Sequence, residues 1–369
     1  MSYNKLAEHA RYVSDSRRAQ QYREALSRVV TSESVVLDLG SGTGILGLLA
    51  ASAGARRVYA VEEGPIASIA SQVIRESGYG DVITVIGASS LTVELPEMVD
   101  LVLCDQLFGV AIEADMPNLL ADAKARHLKP GGVLMPQAFS LAAVPVSAPW
   151  MRRRLETLRD EPYGFNFKAL ADATINTPAL HSESQTEPVG KLAPVLGPVD
   201  SHSLDVVSGS AEFVVDKGVV DGIQVSWTAE LTEGVELTNQ GSGSIDRTVS
   251  TLPTKAPISC NAGDVLSLHV TLRPKLSQID WTISHNGDQT PLQSTFLGAM
   301  LRNRDLTRAA VQETKSMALL TVATMASAGE QVAAIEAAVW DEHSAEFPSR
   351  ETSARFVTEA LALQRHLNR

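Results

Sequence analysis

The chain has 369 residues, 44% hydrophobic and 20% charged, with a formal net charge of −12. At roughly 100–200 residues per domain this predicts two or three domains with a buried core, and it excludes a disordered tail, a collagen-like fibre and a coiled coil. No apolar run reaches the roughly 18 residues of a spanning helix. The first residues carry no apolar signal core, and two cysteines, Cys104 and Cys260, cannot build a disulfide framework or a four-cysteine zinc site. A cytoplasmic protein is expected, with no membrane and no nucleic-acid partner, because an acidic chain repels polyanions. A basic or neutral substrate fits better.

Residues 1–30 place Leu6, His9, Tyr12, Val13, Tyr22, Leu26 and Val29 at helical spacing. Strands are then expected at Val35-Val36-Leu37, 57–61, 82–86, 99–104 and 133–135, and helices at 45–53, 66–77 and 119–127. This βα rhythm predicts an α/β fold, a Rossmann-like doubly wound parallel sheet. A helix at 151–158 leads into a Thr-, Ser- and Pro-rich stretch that reads as a loop or arm. Period-two alternation at 212–215, 222–231, 248–252, 265–272 and 279–284 predicts an antiparallel barrel or sandwich. Residues 295–369 return to helical spacing. The expected domains are 1–148, 149–290 and a helical extension over 291–369.

The most informative segment runs from Val35 through Asp38, Gly40, Ser41, Gly42 and Gly44 to Ile45 and Leu46. A buried strand ends in an acid and enters a turn with glycines at alternate positions, ahead of a helix whose first N–H groups are unpaired. The dinucleotide spacing Gly-x-Gly-x-x-Gly is not met, and no Lys-Ser/Thr follows, which excludes a P-loop. The second strand ends in Glu62, 24 residues beyond Asp38, where an acid can accept both ribose hydroxyls of a nucleoside. Asp-x-Gly-x-Gly-x-Gly with this acid resembles the S-adenosylmethionine site of class I methyltransferases.

The resemblance narrows to the protein arginine methyltransferases. Tyr3, His9, Asp15-Ser16-Arg17-Arg18 and Tyr22-Arg23 precede the turn as in that family. Downstream, Val93-Glu94-Leu95-Pro96, Leu128–Pro136, the β region around 222–231 and 257–264, and Trp150 with Tyr163-Gly164-Phe165 ahead of a dimerisation arm at about 166–190 also resemble the family. The match covers about residues 3–285. It implies S-adenosylmethionine as cofactor, S-adenosylhomocysteine as product, and a homodimer. It implies that Arg18 holds the methionyl carboxylate, that Tyr3 and His9 fold over the cofactor, and that Glu63, Ala88 and Ser89 join the turn and Glu62 in binding it.

The pattern breaks at the acceptor. The family clamps a guanidinium between two glutamates; here Asp105 stands at the first position and Ala114 at the second, with Glu113 adjacent, so a one-residue slip decides which of the two serves. None of the family's Thr-His-Trp loop survives near Ile245-Asp246-Arg247. Asp105 and Glu113 are the expected catalytic pair, orienting and deprotonating an amine of a small molecule or ribosomal natural-product peptide. The alternatives are a protein arginine methyltransferase with a remodelled acidic loop, and a non-catalytic cofactor-binding regulator. Asp105 and Glu113 acting only as loop caps is the blander reading, and Asp246 a weaker candidate. No metal site is expected from the histidine spacing. The extension resembles a winged-helix-type module or a helical cap; its four arginines against seven acids over 316–369 argue against DNA.

Overall fold

The computed structural model describes residues 3–107, 109–110, 116–276, 278–295, 316–327, 329–347 and 349–367. The N-terminal periodicity resolves into two helices, α1 (Tyr3–Ser14) and α2 (Ser16–Val29). They break at Asp15, whose Oδ1 accepts the Arg18 backbone N–H at 3.0 Å and caps α2. A five-stranded parallel sheet follows in the order β3–β2–β1–β4–β5. Its strands are β1 (Val35–Leu39), β2 (Arg57–Val61), β3 (Ile83–Ile86), β4 (Val99–Cys104) and β5 (Leu128–Met135). Helices α3 (Ile45–Ser52), α4 (Ala67–Glu76) and α5 (Met116–Arg126) alternate with them. Every residue of β1 is buried, as a central strand covered on both faces requires.

Strand order reverses between β1 and β4, which opens a crevice at the carboxyl ends of the strands. Register aligns those ends: Leu39 pairs with Val61 on one side and with Cys104 on the other. The residues that follow each, Gly40, Glu62 and Asp105, therefore arrive at one edge.

β6 (Ala138–Ser147) lies ahead of residue 149 yet belongs to the antiparallel part. It pairs with β11 (Gly218–Thr232) from Gly222↔Val146 to Glu230↔Ala138. Its burial alternates only from Phe139 to Ala143 and is continuous from Ala143 to Val146, and its alanines and Pro145 carry no polar–apolar alternation, so the sequence does not announce a strand there. The larger antiparallel sheet runs β7 (Ala179–His181), β13 (Val249–Cys260), β11, β6 and β8 (Glu187–Pro188), with β12 (Val235–Thr238) on β11 and β9 (Ala193–Asp200) on β6. The second runs β10 (Val207–Val214), β14 (Val265–Arg273), β15 (Gln278–His285) and β16 (Asp288–Gln289), with β17 (Gln293–Ser294) on β15. Trp227 and Trp281 fill the interior, and the Trp281 indole N–H donates to the Pro253 carbonyl at 3.2 Å. After β6 comes the expected helix, α6 (Pro149–Arg159), and the stretch read as a loop contains a short α7 (Lys168–Thr174).

Residues 304–369 form a separate compact unit. Its described helices, Ser316–Ser327, Val332–His343 and Arg350–Leu367, bury Ala318, Val322, Ile335, Val339, Phe347 and Val357. Among its described residues there is no strand. No described helix is long and apolar enough to cross a membrane.

Candidate active site

The glycine turn is built around Glu62. Its Oε2 accepts the Gly42 N–H at 3.0 Å and its Oε1 the Gly64 N–H at 2.7 Å, so one carboxylate holds the loops after β1 and β2 together. Gly42 has φ +55°, and a Cβ there would stand 3.1 Å from the His9 imidazole. His9 thus covers the turn from α1. At Gly40, φ +64°, a Cβ would collide with the Gln106 amide at 2.3 Å. The left-handed φ at both positions is what calls for glycine there.

Asp38 is 1% exposed and accepts the Gly47 N–H at 2.9 Å. Burial pushes its carboxyl up to about 7, against the pull of that hydrogen bond and of Arg18. Gly44 ends the turn and caps α3; Ile45 and Leu46 open the helix, Leu46 buried beneath it. Ser41 donates its N–H to Val61 O, while its buried Oγ has no partner among the described residues. Glu63 is exposed, and Ala88 and Ser89 lie half-buried after β3. Tyr3 begins α1, but its side chain is outside the described set, as are Glu113 and Ala114 altogether.

Asp105 is the centre of charge. Its Oδ2 accepts from Arg18 Nε in a close ion pair, and from Arg247 Nη2 at 3.2 Å. All three side chains are at most 6% exposed. The Arg247 guanidinium lies over the Tyr12 ring at 3.8 Å, and Arg18 sits between Tyr12 and Tyr22 at 5.5 and 5.4 Å. Burial works against the Arg18 charge, but the attraction of Asp105 outweighs it and raises the guanidinium pKa. Asp105 Oδ1 is buried and without a partner among the described residues. Cys104, next to it, is an inert thiol, pushed up to about 12 by burial.

Arg247 carries no local sequence signal as a site residue; it comes from the loop between β12 and β13. Asp15 places that loop. While its Oδ1 caps α2, its Oδ2 accepts the Asp246 N–H at 2.8 Å, and Arg17 Nη1 donates to the Ser242 carbonyl at 2.6 Å. A groove of about 590 Å³ opens along this junction, lined among others by Ser14, Arg17, Glu183, Ser184, Asp246 and Arg247. Arg247 is shared by the groove and the Asp105 cluster.

The residues present fit a nucleoside-sulfonium cofactor. A helix N-terminus behind a glycine turn, an acid at the end of β2, a buried arginine fork and two orphaned buried oxygens, on Ser41 and Asp105, converge on one sheet edge. Sheet order, glycine turn and second acid define the class I methyltransferase architecture. The family model described as "Ribosomal protein L11 methyltransferase (PrmA)" matches residues 22–136. A probable protein arginine N-methyltransferase 6 of Arabidopsis thaliana is 35% identical over 150 residues, covering 40% of this chain and 34% of that protein. Protein arginine N-methyltransferase 6 of Danio rerio is 33% identical over 176 residues, covering 46% and 50%. The chain therefore spans about half or less of the length of these relatives. Among solved structures, the "Trypanosoma brucei PRMT1 enzyme-prozyme heterotetrameric complex with AdoHcy" superposes with a TM-score of 0.67 at 22% identity, over 77% of this chain and 94% of that one. Arabidopsis thaliana protein arginine methyltransferase 10 gives 0.63 at 21% identity. By sequence over its first half the chain is similar to S-adenosylmethionine-dependent protein arginine methyltransferases, and by fold it shares their class I methyltransferase architecture.

Proposed function

We propose that the chain transfers a methyl group from S-adenosylmethionine to a nitrogen, and that the first acceptor to test is an arginine side chain of a protein. The observation that carries this reading is the convergence of Glu62, the glycine turn, His9, Arg18 and Asp105 on the crevice between β1 and β4. The names of the relatives support arginine as acceptor.

The cofactor, when bound, supplies an electrophilic methyl on a sulfonium. Glu62 accepts the ribose hydroxyls in exchange for the backbone N–H groups it now holds. Arg18 turns its fork to a carboxylate, and Gly42 lets the backbone approach under His9. Asp105 would orient the acceptor nitrogen and take its proton as the methyl passes from sulfur to nitrogen. Glu113 completes the acidic pair, and the groove beside Arg247 admits the acceptor.

A second reading is an amine other than a guanidinium. One observation favours it: the Asp105 charge is already faced by two buried arginines, Arg18 and Arg247. Even if Arg18 is drawn away by the cofactor, Arg247 still offsets the carboxylate that a guanidinium would need.

The arm region supports a homodimer. Tyr163 is 94% exposed, Phe165 66% and Leu170 52%, an apolar set on the segment from Glu161 to α7.

The test uses labelled S-adenosylmethionine with arginine-rich and lysine-rich peptides. Label on the arginine peptide, lost in Asp105→Asn while S-adenosylhomocysteine still binds by calorimetry, is the expected result. Label only on other amines moves the reading to the second. No S-adenosylhomocysteine binding by the wild type overturns both.

A further inference from the structure

Three metal-competent donors, two of them four residues apart and the third from the next hairpin turn, meet at one end of the sandwich. Cys260 ends β13, Asp264 closes the turn before β14, and His285 ends β15. The Cys260 sulfur, an Asp264 carboxylate oxygen and a His285 ring nitrogen all lie within 4.8 Å of one another. Histidine spacing could not foretell this, because the β14–β15 pairing creates it: Leu266 stands opposite His285.

The donors are held from outside. Asp264 Oδ2 accepts the Asn261 N–H at 2.8 Å, and Oδ1 accepts from Asn286 Nδ2 at 3.2 Å. The turn is pinned to the neighbouring chain by Gly263 N–H to Val215 O at 2.9 Å and Val215 N–H to Asp264 O at 3.0 Å. The second turn is pinned to the first by Val265 N–H to Asn286 Oδ1 at 2.9 Å and Asn286 N–H to Val265 O at 2.8 Å. Such outer partners orient ligands in metal sites.

We propose that Cys260, Asp264 and His285 bind a zinc-class divalent cation, which clamps the two turns. One sulfur, one imidazole and one carboxylate suit a borderline-soft ion and not magnesium or calcium, which take oxygen. A tetrahedral ion with bonds of about 2.0–2.3 Å sets its donors about 3.3–3.8 Å apart, within small side-chain rotations of the geometry here. His285 Nε2 now lies 3.0 Å from Asp264 Oδ2. Ligation exchanges that hydrogen bond for two bonds to the ion, and the Cys260 thiol releases its proton to solvent with no change of oxidation state. Water takes the fourth position. The rival is a pair of turns locked by these hydrogen bonds without an ion, with Cys260 a bystander.

The experiment titrates the full chain, stripped by chelator, with Zn²⁺ by calorimetry and with Co²⁺ by absorption. One ion per chain, a thiolate-to-cobalt charge-transfer band and a zinc-dependent rise in melting temperature are expected. Cys260→Ser keeps every hydrogen bond of the two turns; it is expected to lose the band and bind more than about tenfold more weakly. His285→Asn is expected to weaken binding likewise, and Cys104→Ser to change nothing. Absence of binding by the wild type, or a band and affinity undiminished in Cys260→Ser, overturns the proposal.

Discussion

Asp38 and Arg247 show what single residues can and cannot disclose. Asp38 was legible because it ends a buried strand before a glycine turn, and its burial sets a pH dependence. The folded carboxyl keeps its proton up to about 7, whereas the unfolded chain releases it near 3.8. Between those values the folded state binds more protons, so stability falls as pH rises through the window and stays lower above it. Asp38→Asn keeps an acceptor for the Gly47 N–H and removes the titration. Relative to this variant, the wild type is expected to lose melting temperature between about pH 4 and about pH 7. A pH-independent difference in thermal melts would show that the carboxyl titrates as an ordinary aspartate. Arg18 was also legible, through Asp-x-x-Arg ahead of the turn. Arg247 was not: it reaches Asp105 across 142 residues, and the loop that carries it has no periodicity to read.

At the scale of elements, the parallel strands and their helices followed from periods of 2 and 3.6, since burial on one face or both writes itself into the sequence. β6 escaped because its run of alanines with Pro145 has no polar–apolar alternation, and α7 because it is only seven residues long. The start of α6 illustrates a further limit. Ala148 at its N-cap brings no side-chain acceptor. Asp221 of β11 supplies one from the sheet: its Oδ2 accepts the Ala148 N–H at 2.7 Å, and both oxygens take the Arg152 fork at 2.7 and 2.6 Å. Asp221 is 4% exposed, so removing it leaves a buried N–H and a cation unsatisfied. Asp221→Ala is expected to cost about 2–3 kcal/mol in denaturant unfolding, and Arg152→Ala less, because Arg152 is partly solvated. Equal losses would place the energy in the ion pair and not in the cap.

At the scale of the molecule, residues 1–303 and 304–369 each close their own core. Truncation after Asn303 is therefore expected to leave a folded protein that binds S-adenosylhomocysteine with affinity within a few-fold of the full chain by calorimetry; loss of binding would tie the helical unit to the site. Within the larger unit, Asp15 has a temporal consequence. Its two oxygens join the start of α2 to Asp246, 231 residues downstream. During synthesis the glycine turn and the α2 helix leave the ribosome long before β12 and β13, and the closure of so long a loop carries a large entropic cost that only the finished sandwich offsets. The parallel sheet can form early, while the arginine that faces Asp105 arrives last. A nascent or prematurely terminated chain thus holds the glycine turn, Arg18 and Asp105 without Arg247, and cannot assemble the full Asp105 cluster before its barrel exists.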